Sequence, residues 1–204
     1  MRKIPKSLVF IGIVFLVGSA VFLVGKIQST FVASNLKEYL ETKGVLFQET
    51  QSFSINKIKT TQIIDLKVTK ISAKHENIIA RIELVENMEE REAQLYTEDK
   101  KASIESIFLP GPAHYPGIIT RNVECPDEFH PVRGIRDGVS YYILYASERF
   151  SYGVCSLDEV KYKSLIGFLY CPKNDVFIEM KLFFPPEIFV ESRDLGLLHS
   201  LRCG

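Results

Sequence analysis

Thiolate, carboxylate and imidazole come together in one short stretch of this 204-residue chain, Cys125-Pro126-Asp127-Glu128-Phe129-His130, with His114 upstream. All three groups ligate zinc, and a cysteine beside a histidine can form an activated nucleophile. The spacing follows no established zinc pattern, and the chain contains no C-x-x-C. His114, Asp127, Glu128 and His130 are therefore candidates for a functional loop, with no metal, cofactor or catalytic residue assigned.

The cysteines have a simpler use. Cys125, Cys155, Cys171 and Cys203 are even in number and all lie in the second half of the chain. In an oxidising compartment that implies two disulfides, with three connectivities open. The chain has no G-x-S-x-G elbow, no Walker A loop and no G-x-G-x-x-G. Tyr141, Tyr142, Tyr145, Phe150 and Tyr152 could stack on a sugar or peptide, but aromatics at strand spacing more often serve as core and cross-strand pairs. The 25 Lys and Arg balance the 25 Asp and Glu, so no overall basic field points to nucleic acid.

The elements that position these residues begin with an apolar run. Residues 7–25 (SLVFIGIVFLVGSAVFLVG) are uncharged and bracketed by Lys6 and Lys26. At ~1.5 Å of helical rise per residue such a run covers a hydrocarbon core of ~30 Å. A cleaved signal peptide is the rival, since Arg2, Lys3 and Lys6 precede the run and Gly18-Ser19-Ala20 supplies small residues. The apolar run continues through Val24, beyond the usual h-region, which favours an uncleaved anchor. The basic flank puts residues 1–6 in the cytoplasm, 7–25 across the membrane and the rest outside. The absence of any N-x-S/T sequon gives no support to a eukaryotic secretory route and leaves a bacterial periplasm as the preferred compartment.

Residues 26–44 keep a helical spacing of Phe31, Val32, Leu36, Tyr39 and Leu40, with Gly44 as the stop. Residues 45–204 then form one domain. Ile64, Leu66 and Val68 alternate with polar neighbours, Ile71 breaks the alternation as a bulge or a strand end near Lys70 would, and Ile78 to Leu84 alternate again, so the two runs predict a hairpin with one buried face. The lysines there (Lys57, Lys59, Lys67, Lys70, Lys74) contrast with the acids that follow (Glu86, Glu89, Glu90, Glu92, Glu98, Asp99), a pattern usual for solvated surface. Thr97 predicts the N-cap of a helix that Pro110-Gly111-Pro112 stops.

Residues 109–138 are rich in proline and glycine and predict an irregular loop. Beyond it Val139 to Tyr145, Phe150 to Val154, Tyr162 to Cys171 and Val176 to Leu182 predict strands, the last pair joined at Pro172-Lys173-Asn174-Asp175. Pro185-Pro186 ends the last strand, and the tail is a short helix or a coil held by Cys203.

The expected fold class is α+β: an N-terminal transmembrane helix and one domain of antiparallel hairpins with a packed helix. The expected function is that of a membrane-anchored periplasmic accessory or assembly protein that binds another envelope protein. A ligand-binding or sensing module using the 109–138 loop is the alternative, and a membrane-tethered hydrolase with a Cys-His or metal site is a third.

Overall fold

The structure is a computed structural model that describes residues 35–47, 52–108, 125–136 and 138–204. The 7–25 run, the start of the 26–44 stretch and His114 lie outside the described residues. Among the described residues no helix is long and apolar enough to cross a membrane.

Seven strands form one antiparallel sheet. In chain order the elements are α1 (Leu36–Glu41), β1 (Val45–Phe47), β2 (Ser54–Ile63), β3 (Leu66–His75), β4 (Ile78–Glu86), α2 (Glu90–Ser106), β5 (Val132–Arg136), β6 (Val139–Ala146), β7 (Tyr162–Cys171), β8 (Val176–Phe184), α3 (Glu191–His199) and β9 (Leu201–Cys203). The sheet order is β2-β3-β4-β8-β7-β6-β5, so two antiparallel meanders meet where β4 pairs with β8. β1 and β9 pair separately, with Val45 opposite Cys203.

Both faces of the sheet carry a packed cluster, and this explains the broken alternation in β3. Its register with β4 runs without a shift from Lys67↔Glu86 to His75↔Ile78. Ile71 and Ala73 belong to the core on one face, while Leu66 and Val68 pack into the cluster on the other. The expected bulge near Lys70 is absent; the register shift falls on β2, between Ile55 and Lys57. Apolar positions can thus change parity without a bulge when each end of a strand is covered from a different side.

The back face carries the larger core. Ile82, Leu84, Ile178, Met180, Leu182 and Phe184 pack there against Leu36 and Leu40 of α1, Phe47 of β1 and Leu195 and Leu198 of α3. α1 ends in a turn that Gly44 completes at φ +71, a conformation that glycine adopts without a Cβ clash. The Cys171–Cys203 disulfide ties the end of β7 to β9, and Cys125–Cys155 joins the segment before β5 to the β6–β7 connection. These two disulfides fit a domain that folds in an oxidising, extracytoplasmic compartment.

Among the described residues, only part of the front face is covered. α2 crosses it, packing Ala93, Tyr96 and Ile104 over Val85, Phe168 and Phe177. This helix begins at Glu90, seven residues before the expected Thr97 cap (97 − 90), and Thr97 lies inside it, its hydroxyl bonded back to the Ala93 carbonyl at 2.7 Å. The start is set by Glu92, whose carboxylate accepts from the Glu89 N–H at 3.2 Å, and by acids in the first turn.

Two further expectations are corrected. Residues 150–154 are a loop and not a strand, because Phe150 turns at φ +61 with its N–H bonded to the Ser147 carbonyl at 2.9 Å. Val132–Arg136, inside the expected irregular stretch, is an edge strand paired with β6. The tail contains both a helix and a strand, α3 and β9.

Candidate functional site

Strand register lays the uncovered part of the front face out in rows across the sheet. One row is Lys57 (β2), Ser72 (β3), Arg81 (β4) and Lys181 (β8), each directly across from the next. The row beside it is Lys59, Lys70, Glu83 and Glu179 on the same four strands. Neighbouring strands lie ~4.8 Å apart, so the rows are dense bands of charge. Toward α2 the following row is apolar (Val68, Val85, Phe177), and on the far side Phe183 begins an aromatic wall.

That wall is the β6–β7 connection folded back on the sheet. Phe150 meets Phe183 edge-on with ring centroids 4.9 Å apart and stacks on Tyr162 at 4.9 Å, while Tyr152 stacks on Phe183 at 6.3 Å. The Arg81 guanidinium lies over the Phe150 ring at 4.0 Å. A bulky residue at positive φ stores about 1–3 kcal/mol of strain, and here that conformation sets the ring under a cation. The Tyr152 hydroxyl is buried beside Ser164, and neither hydroxyl makes a hydrogen bond of good geometry. Burial pushes the Tyr152 phenol up, so it stays neutral.

Wall and rows enclose a groove of about 500 Å³ lined by Lys57, Lys59, Lys70, Arg81, Lys181, Glu83 and Glu179, together with the aromatic rings. Both acids are already shared. Glu83 meets Lys70 at 3.0 Å and Lys100 at 3.5 Å; Glu179 meets Lys181 at 2.9 Å and Lys100 at 3.4 Å. Burial raises the Glu83 pKa, but the Tyr96 hydroxyl, Lys70 and Lys100 outweigh it and hold the carboxyl at about 2. Burial alone would lower Lys100, whereas Glu179 and Glu83 raise it. Glu83 and Lys100 are therefore held as ions, and neither is poised to exchange a proton near neutral pH. Among the described residues, Lys57, Lys59 and Arg81 meet no carboxylate. The groove carries a positive excess that the described residues leave unmatched.

A second hollow, between α2 and the β5–β6 edge, is electrically settled. Arg133 pairs with Glu105 at 2.7 Å, the Tyr142 hydroxyl donates to the same carboxylate at 2.8 Å, and Lys101 pairs with Glu98 at 2.9 Å. Burial first, and then Glu105, push the Tyr142 phenol up to about 12.

The loop residues read from the sequence lie elsewhere. Asp127 and Glu128 are exposed on a single 3-10 turn, Asp127–Phe129, whose Phe129 is buried against Tyr145. The His130 ring bonds the Cys125 carbonyl at 3.1 Å and lies 3.9 Å from Asp127. All four sulfurs are in disulfides, so no thiolate is available to a metal or to a Cys-His pair. Among the described residues no group of three His, Cys, Asp or Glu side chains converges on a metal position.

The five aromatics named from the sequence separate. Phe150 and Tyr152 join the groove wall, Tyr142 lies under α2 against Phe168, Tyr145 packs on Phe129, and Tyr141 sits beside Gly134. The groove lysines were visible in the sequence as a run of like charge; the register that unites them with Arg81 and Lys181 was not. Comparison with protein-family models, with curated proteins and with solved structures yields no match, so the reading of this groove rests on its own geometry.

Proposed function

We propose that this protein is a membrane-anchored, extracytoplasmic accessory or assembly protein that binds another envelope protein, with the cationic front-face groove as its contact surface. The observation that carries this reading is the unmatched charge of Lys57, Lys59 and Arg81 in an open groove with an aromatic wall. An exposed cation gains little within its own chain, but an array of them steers an acidic partner and fixes its register. The apolar run 7–25 supports the anchor, and the two disulfides support the outside location. Aromatic and arginine side chains side by side are the usual composition of a protein contact surface.

The test is site-specific photo-crosslinking in intact membranes. A photoreactive residue replacing Ser72, on the groove floor, is expected to give one discrete protein adduct that disappears when Arg81→Glu is added. The same residue replacing Lys173, in the β7–β8 turn, is expected to give none. An adduct that survives Arg81→Glu, or none at Ser72, would sink the proposal.

A further inference from the structure

Among the described residues the front-face lysines of β2 lack the cross-strand carboxylates that the lysines of β3 have. β3 sets Lys67 and Lys70 against acids on its neighbour: Lys67 meets Glu86 at 2.9 Å and Lys70 meets Glu83 at 3.0 Å, directly across the strands. Lys67 and Glu86 lie on the back face, Lys70 and Glu83 on the front; β2 presents Lys57 and Lys59 on the front face, where Lys57 faces Ser72 and Lys59 faces Lys70, a like charge. Like charges directly opposite are unfavourable in a sheet. Their natural counterions would come from the other side, where β2 has no neighbouring strand among the described residues.

That side is open. β2 is the terminal strand, and among the described residues its outer edge is engaged only near its start, by the Asn35↔Ser54 bridge and the Leu36 N–H bonded to the Phe53 carbonyl at 3.0 Å. From Ile55 to Ile63 alternate backbone groups face outward. On the back face of the same stretch Ile55 and Ile58 are only half-buried at the rim of the core.

We infer that an acidic extended segment of the partner adds to the sheet as a further strand beside β2. Its carboxylates, at alternate positions, would meet Lys57 and Lys59 on the front, while apolar side chains at the intervening positions cover Ile55 and Ile58 behind. Residues two apart on a strand share a face, so the period of the two lysines sets the period of the acids. Main-chain hydrogen bonds supply affinity in this mode, and alternate side chains supply the choice of partner. Lysines on an edge strand also discourage indiscriminate pairing, and here they do so selectively. A second copy is a poor occupant, because a β2–β2 pair would set lysine beside lysine. This inference rests on the proposed function and specifies the element that the partner contributes.

The experiment uses the full oxidised chain in detergent solution with three capped peptide probes: alternating glutamate and valine, alternating lysine and valine, and the glutamate form with N-methylated backbone. Binding is read by fluorescence anisotropy, and β2 is followed by backbone amide exchange. The glutamate–valine peptide is expected to bind and to slow exchange at alternate positions between Ile55 and Ile63. In a Lys57→Ala/Lys59→Ala variant that unfolds at the same denaturant concentration, binding is expected to weaken about tenfold. The lysine–valine and N-methylated peptides are expected not to bind.

Four results would overturn the inference: no binding at millimolar peptide, equal binding of the N-methylated form, outward-facing β2 amides protected before any peptide is added, or lysine-dependent binding to phosphatidylglycerol vesicles with none to the peptide. Equal binding of the N-methylated peptide would remove the added strand and leave the groove as the contact surface. Failure to form any adduct at Ser72 in the otherwise unaltered protein would remove the proposed function itself, whatever the peptides do.

Discussion

Lys59 of β2 lies directly across from Lys70 of β3, and of the two, among the described residues, only Lys70 meets a carboxylate, Glu83 at 3.0 Å. The pair therefore opposes folding in the isolated protein. Replacing Lys59 by Glu turns a like-charge opposition into an attractive one and is expected to stabilise the fold by roughly 0.2–1 kcal/mol. The same change reverses the charge offered to an acidic partner and should abolish the Ser72 photo-adduct. A urea unfolding midpoint checks the first effect. An unchanged or lowered midpoint would show that the two ammonium groups do not feel one another.

Glu83 supplies the clearest pH dependence. Its carboxyl is held at about 2 against an ordinary value of 4.5, with burial overcome by the Tyr96 hydroxyl, Lys70 and Lys100. A lowered folded pKa contributes stability that is fully present above the unfolded value and is lost as pH falls through the folded one. Stability should therefore decline between about pH 4.5 and pH 2, and in Glu83→Gln this part of the decline should vanish. Tyr96→Phe, which removes one donor, should move the Glu83 titration upward. Carbon-detected NMR of the carboxyl resonance measures it directly, and a Glu83 midpoint near 4.5 in the wild type would refute the account.

The pattern of what was readable in the sequence follows from the range of the interactions. The β7–β8 hairpin was legible because a nearly continuous apolar run, Tyr162 to Cys171, and an alternating one, Val176 to Leu182, flank the turn at Pro172-Lys173-Asn174-Asp175, all local information. The start of α2 was not, because Glu89 to Glu92 looks like solvated acid, and its capping contact depends on a Glu where Ser, Thr, Asp or Asn is the usual signal. Phe150 and Tyr152 alternate as a strand would, yet they form a turn whose rings wedge onto Phe183. The groove is the least legible feature of all. Lys57, Arg81 and Lys181 become neighbours only through two strand registers and the β4–β8 pairing between distant segments, which periodicity cannot supply. Residues 7–25, the plainest statement in the sequence, lie outside the described structure.

Glu179 tests whether the acids on the groove floor are structural. Its side chain is 3% exposed and meets Lys100 and Lys181, which are 27% and 28% exposed. Glu179→Ala leaves two half-buried ammonium groups with less countercharge, and breaking such a pair by removing one partner is expected to destabilise by roughly 3–5 kcal/mol. The lower end applies here, since both lysines keep some contact with water. Glu179→Gln retains shape and some hydrogen bonding and should be milder. Denaturant titration of the two variants checks the order; equal effects would mean that charge pairing contributes nothing at this position.

The two disulfides close loops of similar length, with sequence separations of 30 and 32, so chain entropy alone assigns both about 3–4 kcal/mol. Their surroundings differ. Cys171 is fully buried in the main core, and its bridge holds β9, and through it β1, against the end of the sheet. Cys125–Cys155 instead joins two segments outside the strands, beside the turn of Asp127–Phe129. Replacing Cys171 and Cys203 by Ala is therefore expected to lower global stability by the full amount and to speed amide exchange in β1, β9 and α3 together. Replacing Cys125 and Cys155 should mainly free residues 125–136 and 153–160, leaving exchange in β4 and β8 unchanged, because those segments can open without exposing the core. Hydrogen exchange resolved by residue separates the two. Equal global losses would show that the 125–136 segment is part of the cooperative unit and not a clip on its surface.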